Sequence, residues 1–213
     1  MRGLYLVTDP DLIGDRDLVD VVMAAVDGGA TCVQLRDKRA TTRQLVEIGE
    51  RLRAVLAPRG VPLVINDRVD VALAVGADGV HVGRDDMDPV TARALLGPEA
   101  IVGLSVESPA DVERAEDLAV DYLGVSPVFD TPTKPDTLDA WGLDGLARVR
   151  RQSHHTIVAI GGIDRDTVAD VAAAGADAVA VVSAVCAAVD PRAAAAELVT
   201  RFSEAARRVG GPR

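Results

Sequence analysis

The chain has 213 residues, enough for one sizeable hydrophobic core. A formal net charge of −10 with only 2% aromatic residues argues against a nucleic-acid surface, an anionic-membrane surface or a base-stacking platform. Apolar runs are broken by Asp and Gly too often to span a bilayer. The opening "MRGLYLVTDP" lacks the apolar stretch of a signal peptide, so a cytoplasmic location is expected.

Short apolar runs alternate with longer helical patterns along the whole chain. A strand at 3–7 precedes a helix at 16–27, a strand at 32–35 a helix at 41–57, and a strand at 63–65 a helix at 69–75. The alternation continues with strand 79–82 and helix 89–96, strand 101–104 and helix 109–118, and strand 122–125 and helix 143–152. It closes with strand 157–160 and helix 166–174, then strand 178–182 and helix 191–207. Continuous apolar strands are those covered on both faces, as in parallel sheets.

"DGGATCVQLR", "AVGADGVHVG", "LAVDYLGVSP" and "AAGADAVAVVS" each pass from a helix end through a small turn into a strand, which marks a repeated βα unit. Eight such units predict an α/β fold, a single-domain (β/α)8 TIM barrel over residues 1–213 with a loose tail at about 207–213. A doubly wound open sheet is the alternative, but no G-x-G-x-x-G follows the first strand. Cys32 and Cys186 lie far apart among apolar or small residues and are expected as buried core residues rather than a disulfide.

In such a barrel the chemistry sits just beyond the C-terminal strand ends. Those positions are polar here: Gln34–Lys38 after the second strand, Asn66–Asp67 after the third, and His81–Asp86 at the fourth. Ser105 follows the fifth strand, Ser126–Lys134 the sixth, Gly161–Gly162 the seventh, and Val182–Ser183 the eighth. Of 23 basic residues only two are lysines, Lys38 and Lys134, and Asn66 is the sole asparagine. All three fall on one predicted rim, where a compact ammonium differs from a guanidinium in use.

Asp67 and Asp86, on adjacent strands, suit a hard divalent cation. A helix cap before "RVDVALAV" for Asp67, and a loop or cap role for Asp86, are the competing readings. Gly161–Gly162 with Val182–Ser183 suits an oxyanion at the loops after the last two strands, or is merely a turn. The "DTPTKPDT" segment (130–137) reads either as a plain surface loop or as a lid carrying Thr131, Thr133 and Lys134 onto a phosphate. No HxH or HExxH spacing exists, which argues against zinc chemistry. No Ser-His-Asp arrangement or nucleophile elbow is present, and His81, His154 and His155 are expected to be structural.

"LYLVTD", "VQLRDK", "INDRVDVALAVGADGVHVGRDDM", "TPTK", "IVAIGGI" and "VVSAV" together, in order from about residue 4 to 190, closely resemble the thiamine-phosphate synthase family. The resemblance implies a Mg²⁺-dependent transferase with one ion per subunit. Its substrates would be 4-amino-2-methyl-5-hydroxymethylpyrimidine diphosphate and a thiazole phosphate, its products thiamine phosphate and pyrophosphate. The reaction would proceed by dissociative loss of pyrophosphate and attack by the thiazole nitrogen.

It further implies that Gln34, Leu35, Arg36, Asp37, Lys38, Asn66 and Ser105 line the pyrimidine diphosphate site. Asp67 and Asp86 would ligate Mg²⁺. Thr131, Pro132, Thr133, Gly162, Val182 and Ser183 would hold the thiazole phosphate, while Lys134 would meet the diphosphate. Lys134, Arg36 and Lys38 would carry catalysis. A thiazole tautomerase relative is the second reading, although its His after the sixth strand is replaced here by Pro127. A non-catalytic phosphate-ligand binding protein is the third. Asp37 stands where the family often has Glu, Arg84 has no assigned role, and assembly into a homo-oligomer is left open.

Overall fold

The computed structural model describes residues 1–131 and 140–209. Eight parallel strands close into a barrel in chain order. They are β1 (Gly3–Val7), β2 (Ala30–Leu35), β3 (Leu63–Asn66), β4 (Gly79–Val82), β5 (Ile101–Val106), β6 (Tyr122–Val125), β7 (Thr156–Ile160) and β8 (Ala178–Val181). The covering helices are α2 (Leu18–Asp27), α3 (Thr42–Leu56), α4 (Val69–Val75), α5 (Pro89–Leu96), α6 (Pro109–Ala115), α7 (Gly142–Gln152), α8 (Val168–Ala173) and α10 (Pro191–Val209). This is the (β/α)8 barrel expected from the alternation.

Local chemistry starts the helices where the chain must leave the rim. Thr41 and Gln44 form a reciprocal capping box on α3. Asp88 caps α5 and Ser108 caps α6, each followed by a proline at the first helical position. Two short helices, α1 (Pro10–Ile13) and α9 (Ser183–Cys186), were not expected; four residues are too few for an apolar period to show. α6 stops at Ala115, short of the predicted 118, and α10 runs to Val209. Residues 207–209 of the expected tail are therefore helical, and 210–213 lie outside the described residues.

Side-chain alternation divides the core in two. Leu4, Leu6, Val33, Leu35, Leu63 and Ile65 point outward into the layer between strands and helices. Tyr5, Val7, Cys32, Val64, Tyr122 and Val158 fill the barrel interior. Burial pushes the Cys32 thiol up to about 12 and the Cys186 thiol to about 11, so both stay protonated, as small core residues would.

The repeated helix-to-strand turns have a shared polar device. Asp78, Asp121 and Asp177 precede β4, β6 and β8, and each accepts from a backbone N–H of the preceding strand: Leu63 at 2.8 Å, Val102 at 2.7 Å and Ile157 at 2.9 Å. An arginine from the helix before that strand closes each latch: Arg53 at 3.6 Å, Arg93 at 2.6 Å and Arg150 at 2.9 Å. These latches lie at the end of the barrel where the strands begin, opposite the predicted rim.

Candidate active site

The C-terminal strand ends surround a cavity of about 850 Å³. Its floor is a hydrogen-bonded chain inside the barrel. Gln34 Nε2 donates to Tyr5 Oη at 2.8 Å, and Tyr5 Oη meets Tyr122 Oη at 3.0 Å. His81 joins the chain through Nδ1, 2.9 Å from Tyr122 Oη, and through Nε2, 2.8 Å from Ser105 Oγ. Burial holds both phenols well above their ordinary pKa, so the floor is polar yet uncharged at the tyrosines.

Strand register makes this floor. His81 pairs with Gly103, and Gly103 pairs with Tyr122. With no side chain between them, the His81 and Tyr122 rings stack at 5.5 Å between centroids, 19° from parallel. A Cβ on Gly103 would lie 2.1 Å from Tyr122 Cζ, so the glycine is a steric requirement of the site.

The rim above β2–β4 is ionic. Lys38 Nζ lies 3.3 Å from Asp67 Oδ2, and the Asp86 carboxyl is the acidic neighbour of Asp67 on the same rim. Asp67 has the only left-handed φ among the described non-glycine residues, 62°. Its carboxyl is held above the usual range first by burial, then by Asp86, with Lys38 opposing both.

Asp67 is not a helix cap: the residue at the start of α4 is Arg68, which makes no side-chain cap bond. Asp86 is a loop residue whose Oδ2 accepts from Gly83 N at 2.8 Å. Arg36 lines the cavity and faces Asp9 at 3.8 Å. Arg84 lines it too, paired at 3.3 Å with Asp111, which also meets Arg114.

On the far wall Gly161 and Gly162 have φ of 107° and 63°. A Cβ on either would come within 2.8 Å of Pro127 or Phe129, so the loop folds as it does because no side chain is there. Val182 and Ser183 at the start of α9, together with Thr131, complete this wall.

Gln34, Arg36, Lys38, Asn66 and Ser105 are thus brought to one cavity, with Asp67, Asp86, Thr131, Gly162, Val182 and Ser183. Leu35 is not: it is 1% exposed in the outer core layer, because strand alternation turns it away from Gln34. Asp37 does not line the cavity either, since its carboxylate accepts from Arg39 N and Ala40 N and closes the loop after β2. Pro132, Thr133 and Lys134 lie outside the described residues. Tyr5, Tyr122 and His81 were missed as site residues, and His81 in particular was expected to be merely structural. The period-two alternation that places Cys32 and Gln34 inside would have found Tyr5 and His81 and rejected Leu35.

The model of a family described as thiamine monophosphate synthase matches residues 4–185. The chain belongs to the thiamine monophosphate synthase family. Among its curated relatives is the thiamine-phosphate synthase of Albidiferax ferrireducens, 58% identical over 92% of this chain and 89% of that one. The thiamine-phosphate synthase of Xanthobacter autotrophicus is 56% identical over 92% of both chains. Among solved structures, thiamine phosphate pyrophosphorylase from Pyrococcus furiosus superimposes with a TM-score of 0.86 at 40% identity, covering 95% of this chain and 96% of that one. A 3-hexulose-6-phosphate synthase at 17% identity and a TM-score of 0.70 shares the fold alone. The thiamine monophosphate synthase family is one of transferases. Among the described residues no helix is long and apolar enough to cross a membrane.

Proposed function

We propose that this chain is a thiamine-phosphate synthase, joining a hydroxymethylpyrimidine diphosphate to a thiazole phosphate with release of pyrophosphate. The observation that carries the reading is one cavity with three chemically different walls. An acid pair beside Lys38 forms the first, a neutral hydrogen-bonding floor the second, and a glycine-rich wall with Ser183 and Thr131 the third.

The floor suits the aminopyrimidine. With Gln34 Nε2 given to Tyr5, its Oε1 remains as an acceptor for an exocyclic amine. When each group passes its proton along Tyr5, Tyr122 and His81, the Ser105 hydroxyl is left as a donor toward a ring nitrogen. Arg36 and Lys38, joined by Lys134, hold the diphosphate, while Gly162, Val182, Ser183 and Thr131 hold the thiazole phosphate.

The donor set fits a magnesium ion: Asp67, whose ionisation is resisted by burial and by the neighbouring Asp86 carboxyl, gains from a hard divalent cation placed between the two. Asp67 and Asp86 would hold one Mg²⁺ per subunit, which supplies charge neutralisation for the departing pyrophosphate. The residues bind, orient and neutralise. The attacking thiazole nitrogen carries no proton, so no strong base is needed, in keeping with protonated cysteines and tyrosines. Pro127 after β6 favours this reading over a tautomerase that needs a histidine there.

The deciding experiment is pyrophosphate release measured with both substrates, with each alone, and with or without Mg²⁺. Release that needs both substrates and Mg²⁺ is expected. Binding without release would leave only a phosphate-ligand binding protein, and turnover of the thiazole alone would favour the tautomerase.

A further inference from the structure

Two of the three histidines in the chain adjoin each other at the end of the barrel opposite the cavity. His154 and His155 precede β7, and Glu116 follows the last residue of α6. One donor atom from each of Glu116, His154 and His155 lies within 4.8 Å of the others, and this is the sole such cluster among the described residues.

The details are those of a coordination site rather than of a surface ion pair. His155 is 8% exposed, and its Nε2–H donates to the Ala115 carbonyl at 3.0 Å. That bond fixes the tautomer and leaves Nδ1 with the lone pair, the arrangement by which ligating histidines are oriented through a backbone carbonyl. His154 Nδ1 lies 2.6 Å from Glu116 Oε2, and the two imidazoles lie 4.2 Å apart between centroids.

The other carboxylate oxygen, Glu116 Oε1, is buried without a hydrogen bond. An unpaired buried oxygen is costly and calls for a partner. The nearby Ser153 hydroxyl, which accepts from His155 N at 3.1 Å, makes no well-formed bond to it.

We propose that Glu116, His154 and His155 bind a borderline divalent transition ion, Zn²⁺ foremost, at a site separate from the Asp67–Asp86 pair. Two imidazole nitrogens and one carboxylate oxygen are a common protein zinc set, with water in the fourth position. The nitrogen ligands select against Mg²⁺, which the all-oxygen pair at the other end prefers. On binding, the ion takes one lone pair from each residue, and the proton that His154 Nδ1 directs at Glu116 moves through solvent to Nε2, so the ring ligates as its neutral Nε2–H tautomer. It ties the end of α6 to the entry of β7 and so links the two helix-to-strand turns on either side of the β6–α7 unit. The expected absence of zinc rested on spacing, and Glu116 stands 38 residues from His154 in sequence.

The test is Zn²⁺ titration into untagged, metal-free protein in the presence of excess Mg²⁺, with heat and thermal midpoint as readouts. One equivalent is expected in the wild type, together with a raised midpoint. His154→Ala and Glu116→Gln should each weaken binding by about tenfold or more. Both residues retain solvent exposure, so the variants should fold, and their circular dichroism checks this. An Asp67→Asn/Asp86→Asn double variant should keep the equivalent. No equivalent in Mg²⁺, an equivalent unchanged in both His154→Ala and Glu116→Gln, or one lost only in the double variant would each overturn the proposal.

Discussion

Lys38 Nζ and Asp67 Oδ2 lie 3.3 Å apart on the cavity rim, so a single ammonium faces a carboxylate that a second carboxylate, Asp86, also crowds. The rim is therefore arranged for a ligand set not made by protein alone, at some cost to the ligand-free fold. Asp86→Asn removes the repulsion while keeping an oxygen for Gly83 N–H. In chelator-treated protein this variant should be as stable as wild type or up to about 1 kcal/mol more stable. Its turnover should fall about 100-fold or more, because a ligand for the cation is lost. Thermal melts with and without Mg²⁺, beside the pyrophosphate assay, check both halves.

Lys134→Ala should lower turnover by about 100-fold or more, as removal of a cation from a developing anionic leaving group does. The fall should be in kcat more than in KM. Steady-state rates near normal would remove Lys134 from the proposed machinery.

Gly103→Ala should be among the most damaging single-methyl additions in the chain. The new Cβ would overlap the Tyr122 ring, which is 1% exposed and hydrogen-bonded at its hydroxyl. Overpacking of this kind costs about 1–3 kcal/mol or more. Displacement of Tyr122 would also take its hydroxyl away from His81 Nδ1 and Tyr5 Oη. Chemical denaturation should show the loss, and surviving folded protein should have a raised KM for the pyrimidine substrate.

Asp111 supplies a pH dependence unrelated to the acid pair. Burial raises its carboxyl, but the Ser108 hydroxyl, the Glu107 N–H, Arg84 and Arg114 prevail and hold it below the ordinary value of 3.8. A carboxyl depressed in the folded state adds stability above its unfolded pKa, and that stability is lost as pH falls through the folded value. Asp111→Asn should therefore lower stability at neutral pH and flatten the loss below about pH 4. Urea midpoints measured across the acid range would show parallel curves if the carboxylate has no such role.

Asp121→Ala should separate folding from chemistry. It leaves the Val102 N–H and Arg93 without their carboxylate at the end remote from the cavity. A loss of about 1–3 kcal/mol in stability is expected, with kcat and KM near wild type at moderate temperature. A large change in kcat would mean that the latch sets the geometry of the floor.

Most of the barrel was legible because its strands are buried on both faces and its helices carry their own caps, so local patterns agree with the whole fold. The rim was legible through residue scarcity: Lys38 and Asn66 stand out in a chain that otherwise spends arginine and avoids asparagine. The floor was not. Tyr5, Tyr122 and His81 read as apolar or structural strand residues, and only register brings Tyr5 Oη and His81 Nδ1 each to within 3.0 Å of Tyr122 Oη. Leu35 failed for the opposite reason, since motif adjacency ignored the alternation that turns it outward. The competing cap reading of Asp67 fails because caps depend on dihedral angles, and its φ of 62° is not written in the neighbouring residue types.

The three aspartate latches also mark where the chain can be cut. Their spans, from Arg53 to Asp78, Arg93 to Asp121 and Arg150 to Asp177, do not overlap. Openings after the even-numbered strands, such as residues 36–41 or 83–88, fall between latches, whereas the turns after β3, β5 and β7 fall inside them. A circular permutant begun after β4 keeps every latch within one continuous stretch of chain, and one begun after β3 divides the first. The barrel is thus assembled from strand pairs, and new termini belong at the seams between them.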